Sequence, residues 1–505
     1  MNKIFKSVLI VTVLAVATRL LSFIFKIYLS RTYGADTVGL YQMCLSVLLL
    51  LLSISIGGFP TVLSRKIAES EAKCDYTRQN ALLTASVLIS ILTSALIVAF
   101  CFLFKDYLNF LFSDERCGNL FLIMIPALLS SSIYCSIRAW LNGKKRFFAF
   151  SFTELLEEIF KIAFTAFFSI GLVAQITGAT AIAIAFTVAD VLCAVILIII
   201  FVAQGGRFSK PKGFLELYKS GVPLTTLRIS TSLVSSLTAL VVPMMLLKDG
   251  VQNATALYGV VSGMALPLIT APTTIIGSLA IVLIPDMAQA NVLGDTDSIK
   301  SKLSYTILFS VFVCALFFIM FTGLGEELGL FLFDDVMAGE YVKYTSGMMF
   351  LIGINASTTT VLNSLGLERK TLLSYFCGIA VFIPLIFLLP SVMGIYSIAV
   401  ASASMSLVCI TVNFIILKKK VGAKLEHFSK NILLLLFTLP CIALTVFLKG
   451  ILCLYLSPFF VIMFASLISL SIYMLLALSF NLLPFKFTVF KRKKKVAKDT
   501  FCHNR

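Results

Sequence analysis

Four cations stand where lipid makes charge expensive. Arg19 and Lys26 lie in the first long apolar run, Ile4 to Ser30, Arg228 lies within a later run, and Arg65 stands at the inner end of another. A charge at mid-bilayer costs ~2.5–3.5 kcal/mol on insertion scales. Arg19 and Lys26 are seven residues apart, nearly two turns, so they share one helix face. Guanidinium forks and ammonium groups converging with hydroxyls suit an anion, above all a phosphate. Hydroxyls surround Arg228: Thr225, Thr226, Ser230, Thr231, Ser232, Ser235, Ser236 and Thr238. Singly, such residues are ordinary packing groups between helices. Lys26, nearer a helix end, is equally read as snorkelling to headgroups.

The acids are fewer. Glu157 and Lys161 have the i, i+4 spacing of a pair, which makes Glu157 a charge partner. Asp190, mid-run, is either a partner for an arginine or a coupling-ion carboxylate. Asp36, placed beside Arg31, is a candidate external gate pair. Gly57, Gly58 and Pro60 in one run, and Pro267 and Pro272 in another, are candidate hinges, because proline removes a helix hydrogen bond.

The elements that position these groups follow from composition. The 505 residues are 59% hydrophobic and only 13% charged, with mean hydropathy +1.02. Soluble folds do not contain repeated apolar runs of 18 or more residues. Such runs form helices, since every backbone group in lipid must bond internally. The expectation is an all-α polytopic membrane protein with fourteen transmembrane helices, two six-helix lobes as parallel repeats plus two C-terminal helices. The divisions are an N-lobe at 1–203, a linker at 204–219, a C-lobe at 220–417, spans thirteen and fourteen at 418–482, and a basic tail at 483–505.

Orientation follows from Lys and Arg. Thirty-one of the 41 fall on the side of the N-terminus and six on the other. That places both termini in the cytoplasm. The formal charge of +17 is thus spread over short loops, which points away from nucleic acid. The block Lys491-Arg492-Lys493-Lys494-Lys495 after the last span suits anionic lipid.

Duplication shows in short matches. Gly39-Leu40-Tyr41 answers Ala256-Leu257-Tyr258; Asn109-Phe110-Leu111-Phe112 with Asp114 answers Leu330-Phe331-Leu332-Phe333 with Asp334; Leu141-Asn142-Gly143 answers Ser364-Leu365-Gly366. A six-span unit repeated in parallel places a substrate site between the halves. The phenylalanine-rich loops at 105–118 and 324–344 read as short interfacial helices. Twelve cysteines show no metal spacing, although Cys101 and Cys117 flank one loop and are able to pair. No metal, cofactor or catalytic constellation is expected.

The Gly57-Gly58-Phe59-Pro60 stretch running into Ser64-Arg65-Lys66-Ile67-Ala68-Glu69 resembles the multidrug/oligosaccharidyl-lipid/polysaccharide exporter superfamily, in its oligosaccharide-flippase branch. So do Leu257-Tyr258-Gly259, Gly263-Met264-Ala265-Leu266-Pro267-Leu268 and Leu283-Ile284-Pro285. Within it, the chain is similar to the stage V sporulation protein B group. The resemblance implies two lobes in alternating access, with cell-wall synthesis proteins as possible partners. It also implies a polyprenyl-pyrophosphate-linked saccharide as substrate, such as a peptidoglycan precursor, in a bacterial plasma membrane. Relatives that move such precursors line their cavity with arginines from spans one, two and eight; here span eight has none and ends in Asp286. A multidrug or cation antiporter of the same fold, and a non-transporting scaffold for cell-wall synthesis, are the other readings.

Overall fold

The computed structural model describes residues 3–169, 178–422 and 428–483, all helix or connection, with no strand among them. In chain order the helices are α1 (Lys3–Ser55), α2 (Phe59–Ala72), α3 (Tyr76–Leu103), α4 (Lys105–Leu111), α5 (Arg116–Met124) and α6 (Ala127–Gly143). Then come α7 (Phe147–Ser169), α8 (Gly178–Ala203), α9 (Phe214–Lys248), α10 (Ala254–Gly259), α11 (Leu266–Val292), α12 (Thr296–Phe333) and α13 (Val336–Thr345). The last are α14 (Met348–Ser364), α15 (Glu368–Leu388), α16 (Pro390–Met393), α17 (Ser397–Val421), α18 (Phe428–Leu452) and α19 (Pro458–Ser479). A π-helical turn, Val260–Ala265, joins α10 to α11.

Ten helices are long and apolar enough to cross a membrane, eleven if α5 and α6, bent by 41°, form one span. Two features separate these numbers from the expected fourteen. The 53-residue α1 contains two expected spans, because the outer loop shrinks to Gly34 (φ 75, ψ 173). The charged α7 (Glu154, Glu157, Glu158, Lys161) and the short α13 and α14 are spans only by position. The turn between spans five and six and the basic tail lie outside the described residues.

Backbone details recur at a near-constant interval. Asp75 caps α3 by accepting from the Arg78 N–H, and Asp295 caps α12 by accepting from the Ser298 N–H. The residues just before these caps, Cys74 and Gly294, are both left-handed. The non-helical Leu324 inside α12 sits where Phe104 separates α3 from α4. The α5–α6 bend has its counterpart in the α13–α14 break. The repeat is therefore written in caps and kinks, where local sequence sets geometry, as well as in side chains.

Large apolar residues such as Leu96 and Leu439 are well exposed, as a lipid-facing surface requires. Inside, hydroxyls join helices: Ser94 to Ser132 at 2.6 Å, and Asn413 to Thr358 at 3.1 Å. Around Trp140, packed against Phe201 at 4.9 Å, a separate core closes the end of the N-terminal half that bears the α2–α3 turn. That end, with the α6–α7 turn and the 204–213 segment, is the basic end of the bundle.

Candidate functional site

Arg19, from the first half of α1, donates Nη1 to Thr274 Oγ1 on α11 at 2.9 Å. Arg228, from α9, donates Nη1 to the Gly57 carbonyl at 3.0 Å. Each arginine crosses to the opposite half, and each remains exposed. The interval from Gly57 to Thr274 equals that from Tyr41 to Tyr258. The two acceptors are thus equivalent in the repeat, whereas the arginines, 209 residues apart, are not; the contacts match by element, the first span of each half reaching the second span of the other.

Gly57 explains why a backbone carbonyl is available. Its φ of +45 ends α1, and Pro60 in the first turn of α2 restarts a helix. The break strands backbone groups, and α9 satisfies them. Gly58 N–H donates to Thr225 Oγ1 at 2.8 Å, beside the Arg228 contact. Further along, Ser53 meets Ser232 at 2.7 Å and Ser236 donates to the Ser46 carbonyl at 2.6 Å. Thr225, Ser232 and Ser236 thus mark a seam along α9, while Thr226, Ser230, Thr231 and Thr238 bond back to carbonyls of α9 itself.

Contacts hold both ends of this seam. At the end opposite the basic one, a Cβ on Gly259 would lie 2.2 Å from the Ala35 carbonyl oxygen, and one on Gly39 would lie 2.0 Å from that of Thr255. Two backbones touch there because neither carries a side chain. Arg116 holds Asp36 at 2.7 Å and Asp114 at 2.7 Å, and Asp114 accepts from Thr255 across the halves. Burial would raise the Asp114 pKa, but the Arg116 and Thr255 hydrogen bonds hold it below the usual carboxylate value. At the basic end, Glu216 on α9 takes Lys66 at 2.8 Å and Arg78 at 3.1 Å. The Lys66 hydrogen bond leads in holding Glu216 below the usual glutamate value.

The other candidates lie elsewhere. Lys26 is half-buried within the N-terminal half, where the Glu158 carboxylate acts on it through space. Arg65 is largely exposed on α2, with Glu69 at 3.8 Å. Glu157 pairs with Lys161 at 2.7 Å. Asp190 is buried and accepts from Ser130 at 2.6 Å and Ser131 at 2.8 Å, with no ion-pair partner among the described residues.

Three expectations need correction. Asp36 pairs with Arg116, whereas Arg31 donates to the carbonyls of Leu332 and Phe331, because α12 brings those carbonyls within reach. Cys101 and Cys117 are both free and buried; the Cys117 carbonyl instead accepts from the Cys44 thiol. The helix breaks are not equivalent, since the π turn lies level with the regular segment Met43–Leu48 of α1. Pro267 falls in the first turn of α11, and Pro272 within α11. Sequence reasoning missed Thr274, the glycine contact and the Glu216 cluster. Gly259-x-x-x-Gly263 was the one readable signal, a small-residue helix-packing pattern.

Two halves, each with an arginine that reaches the other, thus meet along one seam, and the comparisons give the family. Residues 4–291, more than half of the chain, match the family described as polysaccharide biosynthesis protein. The chain belongs to that family. It is 24% identical to stage V sporulation protein B of Bacillus subtilis (strain 168) over 414 residues, 78% of this chain and 80% of that one. Its fold is similar to that of lipid II flippase MurJ in an inward closed conformation (TM-score 0.69, 12% identity, 94% of this chain and 98% of that one). An inward-facing multidrug resistance MATE family transporter of the MOP superfamily also superposes (TM-score 0.67, 14% identity, 82% and 96%).

Proposed function

We propose that the protein moves an undecaprenyl-pyrophosphate-linked saccharide, of the kind that feeds cell-wall or spore-cortex peptidoglycan, from the inner to the outer leaflet. The basic end is cytoplasmic in this reading, the membrane is the bacterial plasma membrane, and the two halves alternate access. The observation that carries the reading is the reciprocal pair, Arg19 to Thr274 and Arg228 to Gly57. Each guanidinium has five N–H donors and spends one on these contacts. The remaining donors suit pyrophosphate oxygens, and charged hydrogen bonds of that kind are worth ~1.5–3 kcal/mol each. A pyrophosphate that recruits both arginines pulls them off the opposite half. Substrate binding and loosening of the seam then become one event.

Asp190 is the carboxylate proposed to carry a coupling ion, on the ground that only hydroxyls hold it. A cation antiporter of the same fold places its carboxylate in the first span, and Ile4–Ser30 contains none. A scaffold without transport would tolerate loss of both arginines.

The test is movement of labelled lipid II in vesicles reconstituted with the full chain. Outward movement is expected with the native protein, and Arg19→Ala and Arg228→Ala should each slow it by roughly tenfold or more, the loss of one charged contact. Absence of movement with native protein, or native rates in folded variants, would sink the reading. Drug-dependent proton or sodium flux would favour the antiporter.

A further inference from the structure

A second cationic site lies outside the seam. At the basic end, the start of α3, the 204–213 segment and the start of α9 enclose a pocket of about 650 Å³. Its charged and polar lining includes Asp75, Arg78, Ser209, Lys210, Lys212 and Glu216. Of the two acids, Glu216 is held by Lys66 and Arg78, and Asp75 keeps its charge while it caps α3. Arg78 uses only Nη2 on Glu216, so its Nε and Nη1 donors are uncommitted among the described residues. Lys210 and Lys212 are exposed and have no acid within ion-pair distance there. Ser209 Oγ is shielded from solvent and has no hydrogen-bond partner among the described residues. Three cations therefore line one cavity against two carboxylates, one of which is already paired.

The surroundings say where the ligand comes from. Phe208, Phe214, Leu215 and Tyr218 are exposed around the pocket. Alternating basic and aromatic residues on a helix start is the composition of a segment lying in the headgroup layer.

We infer that this pocket binds a phosphate group, that of an anionic lipid in the leaflet at the basic end, through Arg78, Lys210 and Lys212. The inference does not rest on the flippase reading. A phosphate there joins α3 of one half to the segment leading into the other, beside the Glu216 ion pairs, and so stabilises the docking of α9 on α2 and α3.

The chain supplies its own reporter. Trp140 is the sole tryptophan. It touches Phe201, and Phe201 lies 5.2 Å from Phe208 at the pocket edge. Detergent-solubilised full chain is titrated with short-chain phosphatidylglycerol, short-chain phosphatidylcholine or inorganic phosphate. Trp140 fluorescence and lipid counting by native mass spectrometry are read in parallel. Phosphatidylglycerol is expected to saturate, phosphatidylcholine not, and Lys210→Gln with Lys212→Gln to raise the midpoint roughly tenfold. Saturation by inorganic phosphate that the same pair weakens supports the site and assigns it to a soluble anion. Failure of both anions by both readouts overturns the inference. So does equal weakening by Lys418→Gln with Lys419→Gln, on the far α17, since binding would then be generic surface charge.

Discussion

At the residue scale, Arg19 and Arg228 differ in what they hold. Arg19 meets a hydroxyl and Arg228 a backbone carbonyl exposed by a glycine break. Lysine keeps the charge and loses the fork. Arg228→Lys is therefore expected to keep the seam while slowing lipid II movement several-fold, and Arg228→Ala to weaken both; transport rate and cross-linking at the seam, measured together, separate the two effects. Asp190 gives a sharper test. Asp190→Asn leaves an acceptor for Ser130 and Ser131 but removes the charge. If Asp190 carries the coupling ion, the variant folds normally and its transport no longer responds to an imposed ion gradient. Retained gradient dependence would reduce Asp190 to an anchor for α6 on α8.

At the element scale, the seam between α1 and α9 rests on hydroxyl pairs, so it can be locked. Ser53→Cys with Ser232→Cys, in a chain cleared of its twelve native cysteines, is expected to form a disulfide under mild oxidant. Transport should stop and return on reduction; a cross-linked protein that still transports would mean the halves do not part along this line. The helix caps test the duplication. Asp75→Ala and Asp295→Ala each remove one cap and are expected to cost about 1 kcal/mol of stability, read as similar falls in the thermal midpoint. Grossly unequal losses would mean that the matching geometry is not matched energetically.

At the scale of the whole molecule, the start of α9 is tied to α2 and α3 at the basic end by Glu216 with Lys66 and Arg78. The folded Glu216 pKa is depressed, so its stabilisation is present above ~4.3 and lost as pH falls through the lower folded value. Lys66 is raised, chiefly by Glu216, so its share is present below ~10.4 and lost as pH rises through the higher folded value. Docking of α9 on α2 and α3 is therefore expected to ignore pH between about 5.5 and 9.5, and to weaken with added salt, which screens pairs near the surface. Spin-label distances between the halves check this. Glu216→Gln should shift the docked population by no more than about fivefold, the ceiling for ion pairs near the surface.

The sequence by itself determined the membrane class, the helical spans, the duplication and the residue types suited to an anion. Those follow from the cost of bare backbone in lipid and from charge that sits where lipid disfavours it. Periodicity cannot say which helix a given face meets, so tertiary structure alone decided the partners. It took Arg19 to Thr274, Arg228 to Gly57, Asp36 to Arg116 and Asp190 to two serines. It left Lys26 and Arg65 away from the seam. These contacts join residues far apart in the chain, and only the approach of two packed halves brings them within hydrogen-bond range.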